Sequence, residues 1–153
     1  MTVAVGSPAP DFTLATDQGE VSLAALKGRP AVVYFYPKDD TSGCTREAIG
    51  FSCLADEFAK AGTTVIGISP DTVEKHGKFR AKHKLTVALG SDPEHKVAEL
   101  YGAWGEKSLY GKKYFGIVRS TFLVDANGTV AKVWPKVKVE GHAEEVLAAV
   151  KAL

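Results

Sequence analysis

Ala31-Val-Val-Tyr-Phe-Tyr-Pro-Lys-Asp-Asp-Thr-Ser-Gly-Cys-Thr-Arg-Glu-Ala48 is the stretch on which the fold of this chain turns. Val32, Val33, Tyr34, Phe35 and Tyr36 are β-branched or aromatic without polar alternation, as expected of a strand buried on both faces in a parallel or mixed sheet. Pro37 stops that strand. Thr41 and Ser42 are both good N-cap residues, so Cys44 falls in the first turn of a helix, where unpaired backbone N–H groups and the positive dipole end favour an anion. For a cysteine that anion is the thiolate, which makes Cys44 a candidate reactive thiol.

Outward from this stretch, strand and helix patterns alternate. Phe12 to Leu14 and Val21 to Leu23 around Gly19 predict a short hairpin. Thr45 to Lys60 predicts one helix ended by Gly62, followed by a strand at Val65 to Ile68 and a helix at Thr72 to Lys84. A short strand near Val87 to Leu89 and a helix from Glu94 to Tyr101 make a second βα pair. Asn127-Gly128, between Ser120 to Val124 and Val130 to Trp134, predicts a type I′ hairpin, and Ala143 to Leu153 the last helix. Gly102 to Gly116 has no period and carries Trp104, Tyr110, Tyr114 and Phe115, which predicts a packed irregular loop whose aromatics border a site. The βα alternation with a late hairpin argues for α/β layers around a mixed sheet.

At about 100° per residue, Glu47, Ala48, Phe51, Leu54, Ala55 and Phe58 lie within roughly 80° of Cys44, which places Cys44 on the inward face of its helix. Cys53 lies about 180° away, beside Arg46, Asp56, Glu57 and Lys60, facing solvent.

Composition bounds the rest. The 153 residues fit a single domain, 1–153, and 45% apolar with 24% charged residues is ordinary for a globular protein. A net charge of +1 gives no reason to expect nucleic acid or an anionic membrane as partner. Met1 to Pro10 has neither a basic start nor an apolar run, and nothing approaches a membrane span in length, so a cytoplasmic protein is expected. Two cysteines make no disulfide framework, which favours reactive thiols. His76, His83, His95 and His142 show no ligand spacing, so neither a metal nor another cofactor is expected.

Pro37, Thr41 and Cys44 together form the P-x-x-x-T-x-x-C pattern, and the chain resembles the peroxiredoxins, in particular their bacterioferritin-comigratory, or Q, branch. Gly6-Ser-Pro-Ala-Pro-Asp-Phe12, Trp104-Gly-Glu-Lys107, Arg119-Ser-Thr-Phe122 and Gly141-His-Ala-Glu-Glu145 carry the resemblance in the same order along the chain. It implies a thioredoxin-like three-layer α/β sandwich and a thiol-dependent peroxidase acting on hydrogen peroxide and organic hydroperoxides in antioxidant defence. Cys44 would be the peroxidatic cysteine, passing through a sulfenic acid. Thr41 would link thiolate and peroxide through its hydroxyl, Arg119 would donate to both, Pro37 would shield the thiolate, and Glu47 would orient Arg119.

A lowered thiol pKa explains little of such a rate. Going from about 8.5 to about 6 raises the thiolate fraction at pH 7 roughly 30-fold, and weaker nucleophilicity takes back roughly 10-fold. Orientation of the peroxide and stabilisation of the developing oxyanion must supply the rest.

Each residue also has a plainer role open to it. Cys44 could be an inert core thiol, Thr41 only an N-cap, Arg119 a surface residue of a strand ladder, Pro37 a strand terminator and Glu47 an early-helix acid favoured by the dipole. The chain departs from its branch at Ile49, where many members place a resolving cysteine, and the segment Thr72 to Lys84 holds no cysteine either. A one-cysteine cycle reduced by thioredoxin, a glutaredoxin or glutathione is expected. The alternative is resolution by Cys53 after local unfolding, because an intact helix holds Cys53 roughly 13 Å along the axis and a disulfide needs Cα atoms within about 7 Å. A non-catalytic thioredoxin-fold binding or chaperone module is the other class. Exposed Ile49 and the aromatic loop could serve a dimer or a reductase contact, but scattered exposed apolar residues are normal, and a monomer is expected, with a weak homodimer as the alternative.

Overall fold

The computed structural model describes residues 3–153, so the first two residues of the expected domain and of the Met1–Pro10 segment lie outside it. In chain order the elements are β1 (Thr13–Thr16), β2 (Gly19–Ser22), β3 (Ala31–Phe35), α1 (Ser42–Cys53), α2 (Ala55–Lys60), β4 (Thr64–Ser69) and α3 (Val73–His83). They continue as β5 (Ala88–Ser91), α4 (Lys96–Tyr101), β6 (Trp104–Leu109), β7 (Lys112–Ile117), β8 (Ser120–Val124), β9 (Val130–Trp134) and α5 (His142–Lys151). Seven strands form one mixed sheet in the order β2-β1-β5-β4-β3-β8-β9. β3, β4 and β5 are parallel, and β8 returns antiparallel along β3. The expected α/β sandwich with a mixed central sheet is what the chain forms.

All five residues of β3 are buried, as its unbroken apolar run requires of a strand near the centre of the sheet. Alternate side chains serve opposite faces. Val32 and Tyr34 pack under α1, α2, α3 and α5 with Phe51, Phe58, Phe79 and Val146. Val33 and Phe35 pack on the other face with Phe122 and with Val97, Ala98 and Tyr101 of α4. The result is three layers.

Three expectations need correction. The helix foreseen from Thr45 to Lys60 is two helices. Leu54 donates its N–H to Phe51 O at 3.2 Å, a tightened i→i+3 bond, and takes φ −101°, ψ 13°, which ends α1 at Cys53. The segment Gly102 to Gly116 is no irregular packed loop, since β6 and β7 form a separate two-stranded hairpin. Its Tyr110, Tyr114 and Phe115 are exposed, Tyr110 at 96%. The type I′ geometry foreseen at Asn127-Gly128 occurs instead at Tyr110-Gly111, where both φ angles are positive (51° and 77°). At Asn127-Gly128 only Gly128 is left-handed: Gly128 N–H bonds Asp125 O, and Asp125 Oδ1 accepts from the N–H groups of Asn127 and Thr129. The Asp125 side chain thereby selects a type I turn followed by a left-handed glycine.

The topology explains how distant residues meet. β8 runs antiparallel to β3 with Ser120 opposite Phe35, so Arg119 arrives beside the carboxyl end of β3, where the chain turns into α1. The loops after β3, β4 and β5 gather at that same end, the usual place for a ligand crevice in an open parallel sheet.

Candidate active site

Thr41 occupies the N-cap position of α1, with extended dihedrals and Thr45 N–H bonded to its carbonyl at 2.8 Å. Its hydroxyl does not cap the helix. It donates to Lys38 O at 2.9 Å, and no hydrogen bond joins it to Cys44 among the described residues. A carbonyl oxygen can only accept, so the Thr41 proton is committed and its oxygen is left as an acceptor.

Cys44 sits in the first turn, 1% exposed, at the end of the helix where backbone N–H groups lack intrahelical partners. Arg119, 75 residues further on, donates from Nη2 to Cys44 Sγ at 3.1 Å. Its Nη1 donates to Glu47 Oε1 at 2.6 Å. Burial works to lower the pKa of the Arg119 guanidinium, but the Glu47 and Cys44 charges and hydrogen bonds outweigh it and raise it. Glu47 is 2% exposed, one helical turn along from Cys44 on the inward face that the wheel foresaw. Burial pushes its carboxyl up to about 7, while Arg119 holds it down; the second oxygen, Oε2, has no hydrogen-bond partner. The expected pairing of Glu47 with Arg119 is therefore present, and Pro37 lies half-buried two residues past the end of β3, after Tyr36. Cys53 is exposed on the far side of α1, as expected.

Three neighbours escaped the sequence reading. Gly43 is needed for space, because a Cβ there would stand 3.2 Å from Arg119 Nη2. The signal was available: a glycine inside a first helical turn disfavours the helix unless something approaches closely. Lys107 donates from Nζ to Ile117 O at 2.8 Å. Burial and the Arg119 charge push the Lys107 ammonium down and Cys44 opposes them, a second cation at the site. Tyr34 lies beneath, fully buried and stacked on Phe51 at 4.8 Å. The histidines stand apart from one another: His76 on Asp39, His83 on Asp40, His95 stacked on Trp104 and His142 on Thr121.

A cysteine held under a guanidinium, with a carboxylate fixing that guanidinium and a free acceptor oxygen nearby, can orient a small oxyacid and favour charge on the group it expels. Comparison with known proteins agrees. Residues 5–133 match the AhpC/TSA family. The putative peroxiredoxin bcp of Coxiella burnetii is 51% identical over 96% of this chain and 98% of its own. Peroxiredoxin Bcp of Bacillus subtilis is 49% identical over 99% and 97%. The solved bacterioferritin comigratory protein of Xanthomonas campestris, from work on its alkyl peroxide reduction, superposes with a TM-score of 0.90 at 42% identity, covering 97% and 98% of the two chains. With the Cys44 site set against these matches, the chain belongs to the AhpC/TSA family, among the peroxiredoxins of the Bcp or Q branch, thiol peroxidases that reduce peroxides with electrons from thioredoxin-type reductants.

Proposed function

We propose that Cys44 is the peroxidatic cysteine of a one-cysteine cycle, with Thr41 and Arg119 holding the peroxide. The observation that carries this is the Arg119 fork, with one nitrogen 3.1 Å from Cys44 Sγ and the other 2.6 Å from Glu47. The Cys44 thiolate attacks the terminal oxygen of the hydroperoxide, and an S–O bond forms as the O–O bond breaks. Sulfur loses two electrons to the departing hydroxide or alkoxide, which takes a proton from solvent. Thr41 Oγ1 accepts the peroxide O–H, Arg119 Nη2 faces the charge that moves from sulfur to oxygen, and Glu47 keeps the fork in plane. Pro37, with no N–H to offer, leaves that side of the thiolate without a water-binding donor. Hydrogen peroxide and small organic hydroperoxides are the substrates.

An external thiol then attacks the sulfenic sulfur and releases water, and a second thiol clears the mixed disulfide. Thioredoxin, a glutaredoxin or glutathione supplies these electrons. The enzyme acts as a cytoplasmic monomer of one domain, and its two free thiols fit a reducing compartment. Turnover tests this: Cys44→Ser should abolish peroxide consumption, and Cys53→Ser should retain it. Loss of all activity in Cys53→Ser would favour the second reading, in which Cys53 resolves Cys44. One observation gives that reading a physical route, since Cys53 is exposed and is the last residue of α1, where the break at Leu54 would let α1 unwind without α2.

A further inference from the structure

A buried polar network beside the site takes no part in the chemistry above. Asp71, 8% exposed in the turn after β4, accepts the Asp39 N–H on Oδ2 at 2.7 Å and the Ser69 hydroxyl on the same oxygen at 2.7 Å. Its own carbonyl takes the Ser91 hydroxyl at 2.6 Å, so the turn is tied to β5. The Asp39 N–H belongs to the same peptide unit as the Lys38 carbonyl, and that carbonyl receives the Thr41 hydroxyl at 2.9 Å. A peptide unit is planar and rigid, so fixing its N–H end fixes the direction of its C=O end. The Asp39 side chain adds a second tether, with Oδ1 accepting from Tyr36 OH at 2.6 Å and Oδ2 facing His76 Nδ1 at 2.6 Å. His76, fully buried, is itself held by Nε2 donating to Gly90 O at 3.1 Å.

We propose that Asp71 is a positioning residue for peroxide reduction: its carboxylate clamps the Lys38–Asp39 peptide plane, and that plane aims the Thr41 hydroxyl so that its oxygen presents a lone pair to the peroxide. The inference rests on the reading of Thr41 as the peroxide acceptor. A hydrogen bond from an N–H to a buried carboxylate is among the strong ones, and the group it holds is a single peptide unit away from the threonine contact. Without it the N–H end of the plane loses its anchor; the Tyr36 and His76 contacts hold only the Asp39 side chain, so the Lys38 carbonyl can tilt, and the Thr41 proton is less firmly committed to Lys38 O.

The test separates peroxide attack from thiolate reactivity. Oxidation of Cys44 by hydrogen peroxide is followed by rapid quench and mass spectrometry, and alkylation of Cys44 by iodoacetamide is measured on the same proteins, each checked for folding by circular dichroism. Thr41→Val should slow oxidation by about 10²-fold or more, and Asp71→Ala by roughly 10- to 100-fold, while alkylation by Asp71→Ala stays within about twofold of the parent. In the Thr41→Val background Asp71→Ala should slow oxidation no further, because the group it positions is gone. Asp71→Asn, which keeps an acceptor oxygen for the Asp39 N–H, should recover most of the rate. If the alanine protein does not fold, Asp71→Ser takes its place, as its short side chain cannot reach the Asp39 N–H. Equal slowing of oxidation and alkylation, or effects that multiply in the double variant, would overturn the role of Asp71 while leaving that of Thr41. Unaltered oxidation in Thr41→Val would overturn both.

Discussion

At Arg119 two acceptors share one guanidinium, Glu47 on Nη1 and Cys44 on Nη2. Arg119→Met removes the donor that faces the developing charge, and the peroxide rate constant should fall about 10²- to 10³-fold, read by single-turnover oxidation. Gly43→Ala should slow the same step, because the new methyl would stand 3.2 Å from Arg119 Nη2, and a guanidinium held by Glu47 on its other nitrogen must shift by a few tenths of an ångström away from Cys44. Glu47 adds a pH signature. Its carboxyl is raised from 4.5 to about 7 by burial, so the folded chain holds that proton more tightly than the unfolded one. Its contribution to stability is fully present below pH 4.5 and is lost as pH rises through about 7. Urea unfolding at pH 5 and pH 8 should show the parent losing up to about 3 kcal/mol relative to Glu47→Gln, and a constant difference would contradict the raised pKa. Residue by residue, much of this was legible: helical spacing alone places Glu47 and Cys44 on one buried face. The bond from Thr41 to Lys38 O was not, because the direction of that carbonyl is set by Asp71, which only the assembled sheet brings near.

Among the elements, β3, β4, β5, β8 and β9 follow from their own composition, since a strand that must be buried announces it by its apolar run or alternation. The break between α1 and α2 announces nothing, as Leu54 is neither glycine nor proline; the tightened turn there accompanies the inward packing of Phe58, which lies 5.9 Å from Phe51. The hairpin β6–β7 was missed for the opposite reason. It lies outside the main sheet and leaves Tyr114 and Phe115 exposed, so no apolar alternation marks it. Gly67 in β4 is an element-scale constraint: a Cβ there would lie 2.6 Å from the ring of Tyr34 on the neighbouring strand. The ring is fully buried against Phe51 and Tyr36 and has no space to yield, so Gly67→Ala should destabilise the protein by about 1–3 kcal/mol in urea unfolding. Unchanged stability would contradict that packing.

The whole molecule joins a rigid sheet to a thiol that must meet two partners in turn. On the proposed one-cysteine cycle a peroxide reaches Cys44 at 1% exposure, and a larger protein or glutathione thiol then attacks the same sulfur after oxidation. That cycle would require the first turn of α1 to open for reduction; position 49, where the resemblance to the branch places a resolving cysteine in many members, is Ile49. Cys53, on the outer face at the end of α1, should be dispensable both for turnover and for stability. The measurement that bears most directly on this is the intact mass of the reduced protein after one equivalent of hydrogen peroxide with a sulfenic-acid trap present, followed by peptide mapping. One trap adduct on Cys44, with Cys53 still a free thiol, is the predicted result. A loss of about two mass units, the mark of a disulfide between Cys44 and Cys53, would contradict the one-cysteine cycle.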